Sequence, residues 1–408
     1  MSKVVLLNIS GPDRIGLSAE LSSVLQQTDI RILDIGQSVI HDHVSLGMMI
    51  QLPNDVDDVA TQQLLDDLQT KGAVLGVDIK TSHVSEENYN NWIHEQGQHR
   101  YIITLLTREV SAEEIAKLTR VTAEQGLNIH DITRLSGRLP LNEPITNDTK
   151  SCVEFAVKGT PKDPEKMRAS FLQISTELDI DVAIQEDDAF RRTRRLVCFD
   201  MDSTLIETEV IDELAKHAGV GKQVAMITER AMQGELDFRE SFKQRMALLE
   251  GLDVSVLQNI AENLPIMQGA ERLVKNLKAY GFKTAILSGG FTYFGHYLQD
   301  KFGIDYVHAN TLEHQDGKLT GKVIEPIIDG AMKAKLLKDI AAQQGITPAQ
   351  TIAVGDGAND LPMLSAAGLG IAFRAKPLVR ESAKQALSTH GLDSILYLLG
   401  FKDSDIID

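Results

Sequence analysis

The stretch Val197-Cys-Phe-Asp-Met-Asp-Ser-Thr-Leu205 takes a short apolar run straight into two carboxylates and two hydroxyls. A run without polar alternation reads as a strand buried on both faces, the kind found in a parallel sheet covered by helices. At the carboxyl end of such a strand, side chains open onto the crevice where ligands bind. Residues i and i+2 of an extended chain point the same way, so Asp200 and Asp202 can address one ligand. Two close carboxylates repel, and a cation or a shared proton relieves them. Donors that are all hard oxygens point to Mg2+.

The same rule finds two more strand ends. Thr351-Ile-Ala-Val-Gly-Asp-Gly-Ala-Asn-Asp360 brings Asp356 to the crevice, with glycines that permit close backbone approach. Ala285-Ile-Leu-Ser288-Gly-Gly290 brings a hydroxyl and flexible N–H groups. Lys333 opens a helical pattern 23 residues before Asp356, where an ammonium can neutralise a phosphate. Taken singly, each piece has a plainer reading: Gly355 to Asp360 as a turn, Lys333 as a solvated surface charge. Around them, strands at Leu196–Phe199, Lys283–Leu287, Tyr306–Ala309, Gln350–Val354 and Leu369–Ala372 alternate with helices, an α/β order. From about 210 to 265 the chain is helix-like and strand-free, too long for one crossover, and reads as an inserted helical cap. Thr311–Ile324 reads as a small hairpin around Asp316-Gly317.

In order and spacing, DxDST, a strand-end serine, a lysine and GDGxND resemble the haloacid-dehalogenase-like (HAD) phosphatases, with a Rossmann-like core. The resemblance implies that Asp200 attacks phosphorus to form an aspartyl-phosphate, and that Asp202 protonates the leaving oxygen and then activates water. It implies Mg2+ held by the Asp200 carboxylate, the Asp202 main-chain carbonyl and Asp356. Ser288, Gly289 and Lys333 would bind phosphate with Asn359 nearby, and Asp360 would support metal or lysine. Transfer to another alcohol instead of water stays open. In the cap segment, Glu209 and the stretch Gly234-Glu-Leu-Asp-Phe-Arg-Glu-Ser-Phe-Lys-Gln-Arg-Met246 narrow the resemblance to phosphoserine phosphatases. That family implies Glu209 against the substrate ammonium, Arg245 forked onto its carboxylate and Phe238 as a shield. The resemblance covers residues 194–400.

The first half holds a weak internal repeat. Val4–Ile9 aligns with Tyr101–Leu106, and Ile30-Arg-Ile-Leu-Asp-Ile35 with Leu127-Asn-Ile-His-Asp-Ile132. Each copy reads βαββαβ, a ferredoxin-like order whose open sheet edges invite pairing with a second copy. The two copies, residues 1–86 and 98–187, resemble tandem ACT domains, the modules that sense amino acids. In the first, Gly11-Pro-Asp-Arg-Ile-Gly16 lies between strand and helix; the resemblance implies a ligand near Asp13 and Gly16, while plain turn formation explains the same residues. The second has Arg108-Glu-Val-Ser-Ala-Glu113 there, without glycine, which puts an equivalent site in doubt. The resemblance also implies a homodimer through the ACT domains. Ser85–Gln98 between the copies is polar and reads as a loop.

At 408 residues the chain has room for two to four domains at about 150 residues each. Its formal charge of −17 argues against nucleic acid or an anionic membrane as partner. Residues 1–190 hold 16 basic and 30 acidic side chains, whereas residues 191–408 hold 25 and 28, so the acidity sits mainly in the first half. Gln185 to Arg195 turns from acidic to basic, and its Arg-Arg-Thr-Arg-Arg reads as solvated linker. Two cysteines, no apolar run near 20 residues and no signal-peptide pattern at the first residues point to the cytoplasm. The sequence thus reads as a Mg2+-dependent phosphatase converting O-phospho-L-serine to L-serine and phosphate, the last step of L-serine biosynthesis. Alternatives are an enzyme for phosphohomoserine, phosphothreonine or another small phosphomonoester, and an amino-acid-sensing protein with an inactive phosphatase domain.

Overall fold

A computed structural model describes residues 3–53, 56–232 and 235–408, in two compact units, residues 1–98 and residues 99–408. Gly234 of the cap motif lies outside the described residues. The first unit begins β1 (Lys3–Pro12), α1 (Leu17–Leu25), β2 (Arg31–Ile40), β3 (His43–Leu52), α2 (Asp58–Leu75) and β4 (Asp78–Val84), with antiparallel strands ordered β2-β3-β1-β4. Period-2 alternation aims Val44, Leu46, Met48, Ile50 and Leu52 of β3 at Leu17 and Leu21 of α1 and Leu64 and Leu68 of α2. The edge strand β2 leaves Ile32, Ile35, Val39 and Ile40 exposed in the single chain.

The segment after β4 is not the loop its polarity suggested. Glu86–Glu95 forms α3, which buries none of its residues. Its ends explain it: Ser85 caps the start by accepting the Asn88 N–H at 3.1 Å, with Glu86 and Glu87 in the first turn and His94 in the last.

The second unit opens with the same order: β5 (Arg100–Thr107), α4 (Ala112–Glu124), β6 (Asn128–Arg134), β7 (Ser151–Lys158), α5 (Pro164–Leu178) and β8 (Asp181–Glu186), sheet order β6-β7-β5-β8. Ser111 and Glu114 form a capping box at the start of α4. The run expected to be solvated linker is instead anchored. Asp188 caps a short helix, α6 (Ala189–Arg192), Arg191 pairs with Glu154 of β7, and buried Arg194 donates to Gln185 at 2.9 Å. Charge pattern alone did not reveal that acceptors from the preceding sheet meet these guanidiniums.

The rest is a Rossmann-like layer. After β9 (Leu196–Phe199) come the cap helices α7 (Val210–His217), α8 (Gly221–Met232), α9 (Phe238–Ala247) and α10 (Ser255–Glu262). The core resumes with α11 (Ala270–Ala279), β10 (Lys283–Phe291), α12 (Thr292–Phe302), β11 (Tyr306–Gln315), β12 (Lys318–Ile324) and α13 (Gly330–Gln343). It ends with β13 (Thr351–Gly355), α14 (Leu361–Ala366), β14 (Leu369–Phe373), α15 (Pro377–Ser382), β15 (Gln385–Leu387) and α16 (Ile395–Leu398). The sheet runs β12-β11-β10-β9-β13-β14-β15, parallel from β11 to β15, with the β11–β12 hairpin antiparallel at one edge.

Both sheet faces are covered, which is why the strands read as unbroken apolar runs. Val197, Phe199, Ile286 and Val354 face one cluster with α11 and α12, while Leu196, Cys198, Leu287 and Ala353 face another with α13 and α14. From β9 the chain first builds outward through β10 and later returns to β13 on the other side. The strand order therefore reverses at β9, and the crevice at its carboxyl end is where a ligand fits.

Candidate active site

Asp200 follows the last residue of β9, and its N–H donates to the Val354 carbonyl at 2.9 Å, carrying the β9–β13 pairing one residue further. Ser203 adopts the left-handed φ of 54°, and the chain turns back so that the Leu205 and Ile206 N–H groups meet the Met201 carbonyl. This turn brings Asp202 beneath the cap, where its Oδ1 accepts the Val210 N–H at 3.2 Å at the start of α7.

Lys333, one turn into α13, is fully buried. Its ammonium lies 2.9 Å from Asp200 Oδ1 and 2.7 Å from Asp360 Oδ1. Burial opposes its charge, but Asp200 and Asp360 outweigh burial and raise its pKa. The Met201 N–H also donates to Asp200 Oδ1, at 2.8 Å. Both bonds thus fall on one oxygen of Asp200, which orients the carboxylate. Asp360 Oδ2 accepts the Gly357 N–H at 2.9 Å. A Cβ on Gly355 would sit 2.4 Å from Asp360 Cγ, so this approach requires glycine.

Four carboxylates crowd around that single ammonium. Asp356 is pushed up to about 8 by burial and by the charges of Asp200, Asp360 and Glu209. Asp360 is pushed up to about 6 by burial and Asp200, against the pull of Lys333. Asp202 is held well above the carboxylate range by burial, then by Glu209 and Asp200. Carboxylate oxygens of Asp200, Asp356 and Asp360 lie within 4.8 Å of one another. This excess of negative charge on hard oxygen donors fits a divalent cation.

On the β10 side, buried Ser288 accepts the Gly290 N–H at 2.9 Å. A Cβ on Gly290 would lie 2.7 Å from Asp202 Oδ2 and 2.6 Å from Met201 Cε, so the loop hugs the acid. Phe238, the first residue of α9, sets its ring 3.3 Å from where a Gly289 Cβ would be, and it stacks on Phe242 at 6.0 Å. Glu209 opens onto the pocket and accepts from Ser203 at 3.1 Å; its enclosure by the pocket walls and the Asp200 charge raise its pKa. Arg245, half-buried on α9, has its pKa lowered by burial, against the pull of Glu209.

The pocket measures about 810 Å³ and brings together Asp200, Asp202, Glu209, Phe238, Arg245, Gly289, Asp356 and Asn359. Ser288, Lys333 and Asp360 lie fully buried in the same constellation. Asp13 and Gly16 belong to the first unit. Gly16 heads α1 with a left-handed φ of 88°, and Asp13 is exposed. The sequence reading missed Asn310, which donates to the Gly289 carbonyl at 2.8 Å and accepts the Ile328 N–H at 2.9 Å, tying the loop of Ser288 to the approach of α13. The signal was present: Asn310 directly follows the strand end expected at Ala309, as Asp200 follows Phe199. Lys376 to Val379, a further wall of the pocket, carried no such signal.

Residues 194–368 match the model for haloacid dehalogenase-like hydrolases, and residues 3–82 and 99–185 each match an ACT-domain model. Fold and site thus define a haloacid dehalogenase-like hydrolase behind two ACT domains. The chain is 39% identical over 402 residues to a phosphoserine phosphatase of Mycobacterium tuberculosis, covering 98% of this chain and 94% of that one. It is 38% identical over 404 residues to one of Streptomyces coelicolor, covering 98% and 93%. Among solved structures, a probable phosphoserine phosphatase of Vibrio cholerae matches with a TM-score of 0.58 at 34% identity, over 75% of this chain and 87% of that one. The chain belongs to the phosphoserine phosphatase family.

Proposed function

We propose that the chain hydrolyses O-phospho-L-serine to L-serine and phosphate through an aspartyl-phosphate on Asp200. One observation carries this reading: a buried carboxylate pair at the pocket floor faces a cap wall with one acid, Glu209, and one guanidinium, Arg245. With a cation and Lys333 offsetting the carboxylate pair, this is the complement of a phosphate bearing an ammonium and a carboxylate.

Lys333 and the Met201 N–H occupy Asp200 Oδ1, which leaves Oδ2 to attack phosphorus. As the new O–P bond forms, the bond from phosphorus to the serine oxygen breaks, and Asp202 gives that oxygen its proton. Burial and the charges of Glu209 and Asp200 raise the pKa of Asp202, the direction a proton donor needs. The carboxylate of Asp202 then takes a proton from water as the water oxygen attacks phosphorus and frees Asp200. Ser288, Gly289, Asn359 and Lys333 hold the phosphate oxygens, and Asp360 keeps Lys333 in place. Glu209 binds the substrate ammonium, Arg245 its carboxylate, and Phe238 excludes water. Asp200, Asp356 and the Asp202 carbonyl would hold Mg2+, which when bound draws charge from the phosphate oxygens and reduces their repulsion with Asp200.

The reading places the enzyme at the last step of L-serine biosynthesis in the cytoplasm, as a homodimer through its ACT domains. The exposed apolar edge of β2 supports the dimer. The left-handed turn at Gly16, beside Asp13, supports amino-acid binding in the first ACT domain. Phosphate release with Mg2+ from phosphoserine, phosphothreonine, phosphohomoserine and glycerol phosphate tests the activity. Phosphoserine is expected to lead, and Asp200→Asn to abolish turnover. Equal use of glycerol phosphate overturns the amino-acid assignment, and an active Asp200→Asn overturns the nucleophile.

A further inference from the structure

The second ACT domain and the phosphatase domain share one body, and the joint between them reaches the wall of the active site. The edge strands β8 and β15 meet there. Gln385 of β15 accepts the Ile184 N–H at 2.9 Å and donates its amide to the Ile184 carbonyl. Asp181, at the start of β8, accepts the N–H groups of Ser388 and Thr389 at 2.8 and 3.0 Å.

Just before β15 comes α15, a helix of six residues. Lys376, Pro377, Leu378 and Val379, at its start, line the active-site pocket. Its far end is held from the ACT domain. Arg168 of α5 donates Nη2 to the Glu381 carbonyl at 2.8 Å and Nη1 to the Ala383 carbonyl at 3.2 Å. A helix this short has little stability of its own, and its last carbonyls have no partner inside it. A guanidinium there satisfies two of them and sets positive charge at the negative end of the helix dipole. A cavity of about 140 Å³, lined by Arg168, Phe171, Arg380 and Ala383 among others, leaves space for the joint to shift.

We propose that Arg168 of the second ACT domain is a positioning residue for the phosphatase reaction. By holding the end of α15, it fixes the pocket wall from Lys376 to Val379. A displacement of α5 is then felt as weaker enclosure of the substrate rather than as a change in bond-making groups. The inference rests on the reading of the pocket as a phosphoserine site, and its test has one arm that does not.

Full-length Arg168→Ala, Arg168→Lys and Gln385→Ala are compared with wild type by steady-state phosphate release and by backbone hydrogen exchange at Val379, Arg380 and Ala383, whose N–H groups bond within α15. Arg168→Ala is expected to raise KM for phosphoserine about three- to ten-fold with kcat within about two-fold, the pattern of lost uniform binding. It is also expected to speed exchange at those amides, and Arg168→Lys to recover part of both effects. Gln385→Ala loosens the same joint away from α15, and is expected to lower thermal stability while leaving KM within about two-fold. Unchanged exchange and KM in Arg168→Ala overturn the proposal, as does an equal rise of KM in Gln385→Ala. If Arg168→Ala does not fold, Arg168→Lys decides by the same two readouts, against the same outcomes. A wild-type chain inert toward phosphoserine would overturn the functional reading, while the exchange arm still decides whether Arg168 holds α15.

Discussion

Arg239, in the first turn of α9, meets Asp329 through both Nε and Nη2, at 2.9 and 2.8 Å from the same oxygen, Oδ2. The other oxygen of Asp329 accepts the Met332 N–H at 2.9 Å and caps α13, the helix that carries Lys333. One carboxylate therefore starts the lysine helix and clasps the cap to it. Because Phe238 precedes Arg239, the clasp also seats the Phe238 ring on Gly289. The pair is partly open to water, so salt screens it. Arg239→Gln is expected to raise KM about two- to five-fold. Moderate salt should raise the wild-type KM in the same direction and move the variant's KM less. Kinetics at low and high ionic strength check this, and a variant with wild-type KM and salt response refutes the clasp.

The crowded carboxylates make stability depend on a cation. Mg2+ held by the folded state would relieve repulsion at Asp356, so it should raise the thermal midpoint by several degrees at concentrations far above its Kd, about 3 kcal/mol at a hundred-fold excess. Asp356→Asn removes one ligand and should lose most of that shift. Chelation should stop phosphate release, and added Mg2+ restore it. Thermal scans with chelator and with Mg2+ measure the effect, and an undiminished shift in Asp356→Asn removes that residue from the metal site.

Gly290→Ala probes how tightly the acid is placed. Its methyl group would press on Met201 Cε and Asp202 Oδ2, both inside van der Waals contact. Displacing Asp202, the proposed proton donor, by about 1 Å should cut kcat by roughly 100-fold in a protein that still folds. Circular dichroism with single-turnover kinetics separates the two effects, and a kcat near wild type shows that the loop yields elsewhere.

Asp181 predicts a pH effect on stability at the joint. Its carboxyl is pushed up to about 6 in the folded chain, chiefly by burial, with the N–H groups of Thr389 and Ser388 pulling the other way. The ordinary value is 3.8, so the folded state binds this proton more tightly than the unfolded state. Its contribution is present below about pH 4 and is lost as pH rises through about 6, by up to about 3 kcal/mol. Asp181→Asn cannot titrate. Urea unfolding at pH 4 to 7 should show wild type losing stability relative to the variant as pH rises, and a constant difference contradicts the assignment.

What the sequence disclosed followed the physics of buried strands. Leu196–Phe199 and Gln350–Val354 read as parallel strands because both faces are covered, and Asp200 and Asp356 follow from where those strands stop. The roles that depend on distant chain segments were harder to read. Nothing near Arg191 or Arg194 shows that Glu154 and Gln185 receive them. The helix Glu86–Glu95 sets Tyr89, Trp92 and Ile93 on one side among polar residues and buries none of them, and that small patch is hidden in a polar run. β15 spans three residues, too few for any periodicity. Asn310 was readable by the same strand-end rule that found the aspartates, while the Arg239–Asp329 contact joins positions 90 apart, which local pattern does not connect.

The Gln385 side chain also protects the catalytic sheet from its own shape. A terminal strand with unpaired N–H and carbonyl groups is a template for other chains, and proteins cover or blunt such borders. Here the second ACT domain covers β15, with a glutamine standing in for a backbone. A phosphatase domain cut free at residue 194 would bare that border together with the apolar surface around Tyr397 and Leu398, which now packs with Leu106 and Cys152. Its first difficulty would be self-association rather than lost chemistry, so the contact that holds the joint also keeps this sheet border covered.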